Sequence, residues 1–192
     1  MIDQSPTKSE IRKTTLALRD AMPEDERIVA SNKLVDYAGA LGLKEGDIVS
    51  SFLPIRSEID LRPLMKSLDA LAIRLCLPVV LDRQTIVFRE FLAGTKLVET
   101  GFGTSGPGDD AKILDPDVML IPLAALDDAG NRIGYGAGHY DRAIARLHAA
   151  GKSPSLIGVA FDCQRVQAVP ADAHDVSIHT VLTESGLYSL GQ

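Results

Sequence analysis

Positive charge is in short supply: 20 Lys and Arg stand against 26 Asp and Glu, a net charge of −6. Without an overall positive field the chain carries no electrostatic footprint for RNA or DNA, and any anion site must be local. Long apolar runs are missing too. The most apolar stretch, Leu68 to Leu81, is interrupted by Asp69, Arg74 and Pro78 and is too short to span a bilayer. The first residues, MIDQSPTKSE, lack the basic and apolar regions of a signal peptide. Cysteine is scarce, and Cys76 and Cys163 both lie in runs that read as apolar strands. Core thiols in a reducing compartment are expected there, in preference to a disulfide or a catalytic thiol. Repeats, low-complexity segments and interdomain linkers are also absent. With 45% apolar and 24% charged residues, the composition is that of a soluble globular protein. The expectation is a monomeric cytoplasmic protein of one domain, residues 1–192, with neither a membrane nor a nucleic acid as partner.

Glycine, by contrast, is concentrated where it matters. The stretch GNRIGYGAGHYDR, residues 130–142, places Gly134, Gly136 and Gly138 at alternate positions. Such glycines give up side-chain burial and cost backbone entropy, so they do not serve packing; they let a ligand lie on bare backbone. The run from His139 to Ala150 reads as a helix, with Gly151 as its C′ residue. Its N-terminal amides would point into the glycine loop, the arrangement that binds phosphate. Arg132 and Arg142 bracket the loop with positive charge, and Asp141 adds a hard oxygen ligand suited to Mg²⁺. Together these suggest a nucleotide-phosphate cradle with its metal; an ordinary glycine-rich turn is the alternative. The loop lacks the spacing of the dinucleotide fingerprint. Gly151-Lys152-Ser153 is not the end of a Walker A motif, because Arg146 stands where glycine is required and the tripeptide follows a helix.

Along the chain, Thr7-Lys8-Ser9-Glu10 matches a capping box and predicts a helix from Lys8 to Ala21. Lys8 and Arg12 share one face of it, which on spacing alone reads as a solvated basic face. A second helix is predicted from Pro23 to about Ala40, with Ile28, Leu34, Val35, Ala38 and Leu41 as its apolar stripe. Strands are predicted at residues 47–53, 71–77, 85–91, 117–121, 155–161 and 178–182, and a short helix started by Pro63 follows the charged loop Arg56-Ser57-Glu58-Ile59-Asp60. Residues 94–110, rich in glycine, read as a mobile loop over a site or as a plain surface excursion. Strands alternating with helices give an α/β fold with a largely parallel sheet flanked by helices. The Glu58 loop and the glycine loop each follow a strand, so both open onto the carboxyl edge where such sheets bind ligands.

These residues carry a resemblance. The run Asn131-Arg132-Ile133-Gly134-Tyr135-Gly136-Ala137-Gly138-His139-Tyr140-Asp141-Arg142 is similar to the R-[LI]-G-x-G-x-G-x-Y-D-R signature of the 5-formyltetrahydrofolate cyclo-ligase family, also called 5,10-methenyltetrahydrofolate synthetases. Lys8-x-x-x-Arg12, Glu58-Ile59-Asp60, Ile121-Pro122, Gln164, Pro170, His174-Asp175 and Thr183-Glu184 extend it over nearly the whole chain. The resemblance implies a three-layer α/β fold like the CoA-transferase and sugar-isomerase-like group. It also implies ATP- and Mg²⁺-dependent cyclisation of 5-formyltetrahydrofolate to 5,10-methenyltetrahydrofolate through a phosphorylated formyl (iminium phosphate) intermediate. It assigns ATP to Lys8, Arg12 and the segment Arg132, Ile133, Gly134, Tyr135, Gly136, Ala137, Gly138, His139 and Tyr140. Folate goes to Leu53, Glu58, Tyr135, Gly136, Ala137, Gly138 and His139, and the metal to Asp141 and Asp175. Catalysis falls to Lys8, Arg132 and Asp141. Arg142 is expected to fix the loop through an ion pair, and His174 and His179 to be structural or solvent-facing. The chain departs from the family pattern at Leu61, usually threonine, Gly106, often glutamate, Leu126, often phenylalanine, and His139, often aromatic; the first two bear on the folate side. Rival readings are a recognition protein for RNA or protein on the same scaffold and another small ATP-dependent ligase.

Overall fold

The computed structural model describes residues 6–101, 103–172 and 175–191. Helix α1 spans Lys8–Ala21, and Thr7 and Glu10 form the reciprocal capping box that the sequence predicts. The second helix is shorter than its pattern suggests. Here α2 covers Glu24–Lys33, Pro23 is its N-cap, and Leu34–Leu41 tightens into a 3₁₀ helix. That last segment, LVDYAGAL, carries the weaker helix formers Val35, Asp36, Tyr37 and Gly39 in its middle. Its packing follows the predicted stripe at Leu34 and Ala38, which are buried, whereas Ile28 is 55% exposed.

Eight strands form one sheet: β1 Ile48–Ser50, β2 Arg74–Val80, β3 Ile86–Glu90, β6 Ile113–Leu114, β7 Val118–Pro122, β10 Ser155–Val159, β11 Thr180–Thr183 and β12 Gly186–Ser189. Their order is β12-β11-β10-β7-β1-β2-β3-β6. The central strands β11, β10, β7, β1 and β2 are parallel, and antiparallel strands close both edges. Helix α3, Arg62–Ala70, joins β1 to β2 and carries Pro63 in its first turn. Helix α4, His139–Ala149, follows the glycine loop and ends before Gly151.

The side-chain alternation of the strands builds the layers. In β7, Val118 and Leu120 enter a core with Leu34, Leu64, Met65 and Leu68, while Met119 and Ile121 enter a second core with Ala143, Ile144 and Leu147. In β2, Leu75 and Leu77 face the first core and Cys76 the second. The sheet is therefore buried on both faces, by the segment 24–41 with α3 on one side and by α4 on the other. Helix α1 sits apart: Ile11 packs with Ala124, Ala125, Ile133 and Val169, just past the carboxyl ends of β7 and β10. This α/β architecture is the one the sequence predicts, and it puts α1 across the edge where the site lies.

Several strands have shifted or escaped the sequence pattern. Strand β2 starts three residues later than predicted and runs through Pro78, which pairs with Phe88. Residues 94–110 are largely a hairpin of β4, Leu97–Gly101, and β5, Thr104–Pro107. A smaller hairpin, β8 Ala125–Leu126 with β9 Arg132–Ile133, sets up the glycine loop. Strand β12 was also unforeseen. Cys163 lies in the 3₁₀ turn Asp162–Gln164, a correction to its strand placement, whereas Cys76 is a core residue of β2. Both thiols are free, and burial pushes that of Cys76 up to about 12. No helix among the described residues is long and apolar enough to cross a membrane.

The departures from the family pattern at Leu61 and Gly106 have structural accounts. Leu61 is fully buried in the core and does not line the cavity. Gly106 lies against β2, and a Cβ there would meet Val79 Cγ2 at 2.9 Å and the Pro78 carbonyl oxygen at 3.4 Å. Gly106→Glu, the residue frequent in relatives, is therefore expected to lower stability by about 1–3 kcal/mol through overpacking. Urea unfolding of the variant beside the unmodified protein checks this; an unchanged midpoint would contradict the packing account.

Candidate active site

The site is a cavity of about 890 Å³ at the carboxyl ends of β1, β2 and β7. Its floor comes from the strand ends and the loop after β1, one wall from α1, and another from the glycine loop and the start of α4. Leu97, Gly103, Thr104 and Ser105 of the β4–β5 hairpin contribute a third side. The segment read from sequence as a loop over a site thus lines it as a hairpin.

The glycine loop runs from β9 into α4. Gly136 has φ +95° and Gly138 φ +64°, left-handed values that a side chain adopts only under strain. Gly138 is the N-cap of α4 and makes no side-chain capping bond, so the first-turn amides stay available to a ligand. Two cations fix the loop. Arg12 Nε donates to the Gly134 carbonyl at 2.8 Å. Arg142 donates to the carbonyls of Ala137 at 2.6 Å and Gln84 at 2.7 Å. Arg142 therefore steadies the loop through backbone carbonyls; the expected ion pair is not among the described contacts.

Beside the loop lies a group of alternating charges. Arg132, 8% exposed, pairs with Asp141 at 2.6 Å and also donates to the Val176 carbonyl. Lys8 pairs with Asp175 at 2.5 Å and with Asp172 at 2.6 Å. Burial works against the Asp175 charge, yet the Lys8 hydrogen bond and charge, with the Arg132 charge, hold its carboxyl below the usual aspartate range. The Val176 amide approaches Asp141 Oδ1 at 3.5 Å, which ties the Asp175 segment to α4. Asp141 and Asp175 thus share one end of the cavity with Lys8 and Arg132. The donor set fits Mg²⁺: carboxylate oxygens are hard ligands, and the ion commonly takes only one or two of them beside phosphate oxygens and water. Among the described residues no group of three His, Cys, Asp or Glu could hold a metal by itself.

The other end is organised around Glu58, which is 8% exposed. Its Oε2 accepts from the Ile55 amide at 2.8 Å, and Tyr135 lines the same cavity. Burial pushes the Glu58 carboxyl above the usual glutamate range, opposed by the nearby Tyr135 hydroxyl, the Ile55 amide and the Arg19 charge. Leu53, partly buried, lines the cavity next to it.

Every residue that the resemblance assigned to ATP, folate or metal lines this one cavity: Lys8, Arg12, Leu53, Glu58, Arg132 through Asp141, and Asp175. His179 is exposed, as expected; His174 lies outside the described residues. Sequence reasoning overlooked Arg19, Arg56 and Arg62, which also line the cavity. For Arg19 a signal existed, because it stands seven residues after Arg12, one helical face further along α1.

A model of the 5-formyltetrahydrofolate cyclo-ligase family matches residues 4–184. The chain belongs to that family. A Mycolicibacterium smegmatis protein named 5-formyltetrahydrofolate cyclo-ligase is 32% identical over 92% of this chain and 93% of its own length. Among solved structures, the Aquifex aeolicus 5,10-methenyltetrahydrofolate synthetase superposes with a TM-score of 0.80 at 28% identity, covering 96% of this chain and 93% of that one. The Mycoplasma pneumoniae 5,10-methenyltetrahydrofolate synthetase shares the fold at a TM-score of 0.74 and 22% identity, over 92% and 98% of the two chains. The protein is thus a member of a family of ligases, as its residues suggested.

Gly136→Val tests the loop. A Cβ there would sit 3.8 Å from the Arg12 guanidinium and force a branched residue into a left-handed conformation. Strain of about 1–3 kcal/mol at this position is expected to weaken ATP binding roughly tenfold or more while the fold persists. Calorimetry and circular dichroism on the same sample read both; unaltered ATP affinity would remove the loop from the nucleotide site.

Proposed function

We propose that the protein catalyses the ATP- and Mg²⁺-dependent cyclisation of 5-formyltetrahydrofolate to 5,10-methenyltetrahydrofolate, with release of ADP and phosphate. The observation that carries this reading is the meeting of two unlike ends in one cavity. A glycine loop with an uncapped helix N-terminus and four nearby cations faces a buried carboxylate across a space of a size to hold both reactants.

The chemistry follows from the substrate. The N5-formyl oxygen is an amide oxygen, and its carbon is a poor electrophile until that oxygen is phosphorylated. ATP supplies the phosphoryl group; the resulting iminium phosphate is attacked by N10, and loss of phosphate leaves the methenyl bridge. Phosphoryl transfer depends chiefly on positioning and charge neutralisation. The amides of Gly136 to His139 would hold the phosphates, with Arg12 keeping the loop in shape from the Gly134 carbonyl. Lys8 and Arg132 now pair with Asp175 and Asp141, and would exchange those partners for phosphate oxygens as ATP enters. The released carboxylates would then hold Mg²⁺, which when bound offsets the charge of the transferring group. At the far end Glu58 would accept hydrogen bonds from the folate ring system, with Leu53 against its apolar face. We read the chain as working in one piece, as a single monomeric domain in the cytoplasm.

Following the absorbance of 5,10-methenyltetrahydrofolate with 5-formyltetrahydrofolate, ATP and Mg²⁺ tests the activity. Product is expected only with all three present. No product from folded, metal-replete protein would refute the reaction, and salt-sensitive RNA binding in its place would favour the recognition-module rival. A pair of variants tests the division of the cavity. Asp141→Asn is expected to damage turnover and its Mg²⁺ dependence while folate still binds in the absence of ATP. Glu58→Gln is expected to lower folate affinity by about 1.5–3 kcal/mol, the range of a charge-assisted hydrogen bond, and to leave ATP-Mg²⁺ affinity nearly unchanged. Calorimetry with each ligand on each variant decides it; the opposite pairing of effects would overturn the division.

A further inference from the structure

Arg56 stands in a backbone conformation that its residue type does not favour. Its φ is +56°, and Ala72 is the other described non-glycine residue with a left-handed value. Ala72 has an ordinary reason. It follows α3, and the amides of Ala72 and Ile73 donate to the Asp69 and Leu68 carbonyls, the bonds that close a helix C-terminus. Arg56 closes no helix. It is the first of the two central residues of a tight turn, in which the Glu58 amide donates to the Ile55 carbonyl at 3.2 Å. Glu58 Oε2 accepts in return from the Ile55 amide.

The flanking residues hold the turn in that shape. Ser57 Oγ accepts from Arg19 Nε at 2.9 Å and donates to Asp20, so the turn is fastened to α1. Ser57 and Glu58 are each 8% exposed. A strained residue persists only where its surroundings over-determine it, and such residues gather at ligand sites. Arg56 takes no part in the fastening. It lines the cavity and is exposed, yet its side chain makes no hydrogen bond or ion pair among the described residues. The other cations around the cavity are engaged. Lys8 and Arg132 hold aspartates, Arg12 a loop carbonyl, Arg19 two hydroxyls, and Arg62 grips Asp60 at 2.9 and 2.6 Å.

We propose that Arg56 binds a carboxylate of the glutamyl tail of 5-formyltetrahydrofolate and so selects glutamylated folate. The inference rests on the proposed function and deepens it at the end away from the nucleotide. Glu58, two residues on, is buried on the cavity floor, whereas Arg56 is exposed at the rim. A ring system seated on Glu58 sends the rest of the molecule outward past Arg56, and that outer part ends in a glutamyl group with two carboxylates. A guanidinium matches a carboxylate through two parallel hydrogen bonds. The turn fixes the direction from which the side chain starts, so the strain at Arg56 goes to aiming an unpaired cation.

Steady-state kinetics of the full chain with 5-formyltetrahydrofolate, and with 5-formyltetrahydropteroate as the same ring system without glutamate, tests this. Arg56→Gly removes the guanidinium and suits a left-handed φ, so its melting temperature is expected to hold or rise. Its KM for 5-formyltetrahydrofolate is expected to rise about fivefold, the upper end for an exposed ion pair. The KM values for 5-formyltetrahydropteroate and ATP are expected to stay within about twofold, because neither ligand reaches the guanidinium. Arg56→Lys keeps the charge without the fork and is expected to show a smaller rise than Arg56→Gly. An unchanged KM for 5-formyltetrahydrofolate in Arg56→Gly, or an equal rise for both pterins, overturns the proposal. A lowered melting temperature with all three KM values raised would make Arg56 a structural residue and overturn it equally. Absence of turnover in the unmodified protein would overturn the proposed function itself, and is distinguishable because it precedes any variant.

Discussion

The site depends on one buried cation held by two separate parts of the chain. Arg132, at the end of β9, is pinned between the Asp141 carboxylate in the first turn of α4 and the Val176 carbonyl in the segment leading to β11. These contacts fix the two ends of the glycine loop relative to each other, and they carry Asp175 to within reach of Lys8 on α1. An uncompensated guanidinium at this depth would be costly, so the loop, the helix and the 175–179 segment stay together. On the proposed function, the same pairing is what a nucleotide would displace.

The cavity has two chemical characters, and the fold explains why they adjoin. Parallel strands β1 and β7 are hydrogen-bonded neighbours, and their carboxyl ends emit, respectively, the loop carrying Glu58 and the chain that leads to the glycine loop. One loop buries a carboxylate among amides and hydroxyls; the other leaves backbone bare before an uncapped helix. Helix α1 closes over both, presenting Lys8 and Arg12 to the phosphate end and Arg19 to the carboxylate end. A single face of α1 thus spans both ends of the cavity.

Much of this was legible in the residues. The capping box and the glycine run marked α1 and α4 almost to the residue, because caps and glycines act locally and tertiary packing does not override them. The alternation of strands and helices gave the layers. What stayed hidden was governed by context. Strands β4 and β5, LVETG and TSGP, lack an alternating pattern because they form a small hairpin beside the sheet instead of a buried element. The two-residue strands β8 and β9 are too short to carry any periodicity. Pro78 reads as a strand end, yet it sits within β2 at its pairing with Phe88. The residues that motif spacing singled out line one cavity, but spacing could not show their partners. That Arg142 holds carbonyls in place of an acid, and that Arg19 reaches the Tyr135 hydroxyl, are facts of three-dimensional placement.

The central claim is that nucleotide and folate occupy opposite ends of one cavity and meet between the glycine loop and Glu58. A crystal structure with Mg²⁺, a non-hydrolysable ATP analogue and 5-formyltetrahydrofolate bound together tests it most directly. The account predicts the phosphates on the amides of Gly136 to His139, the metal between Asp141 and Asp175 with Lys8 and Arg132 turned to phosphate oxygens, and the folate ring system against Glu58. Phosphates bound away from the loop, or folate bound away from Glu58, would contradict it.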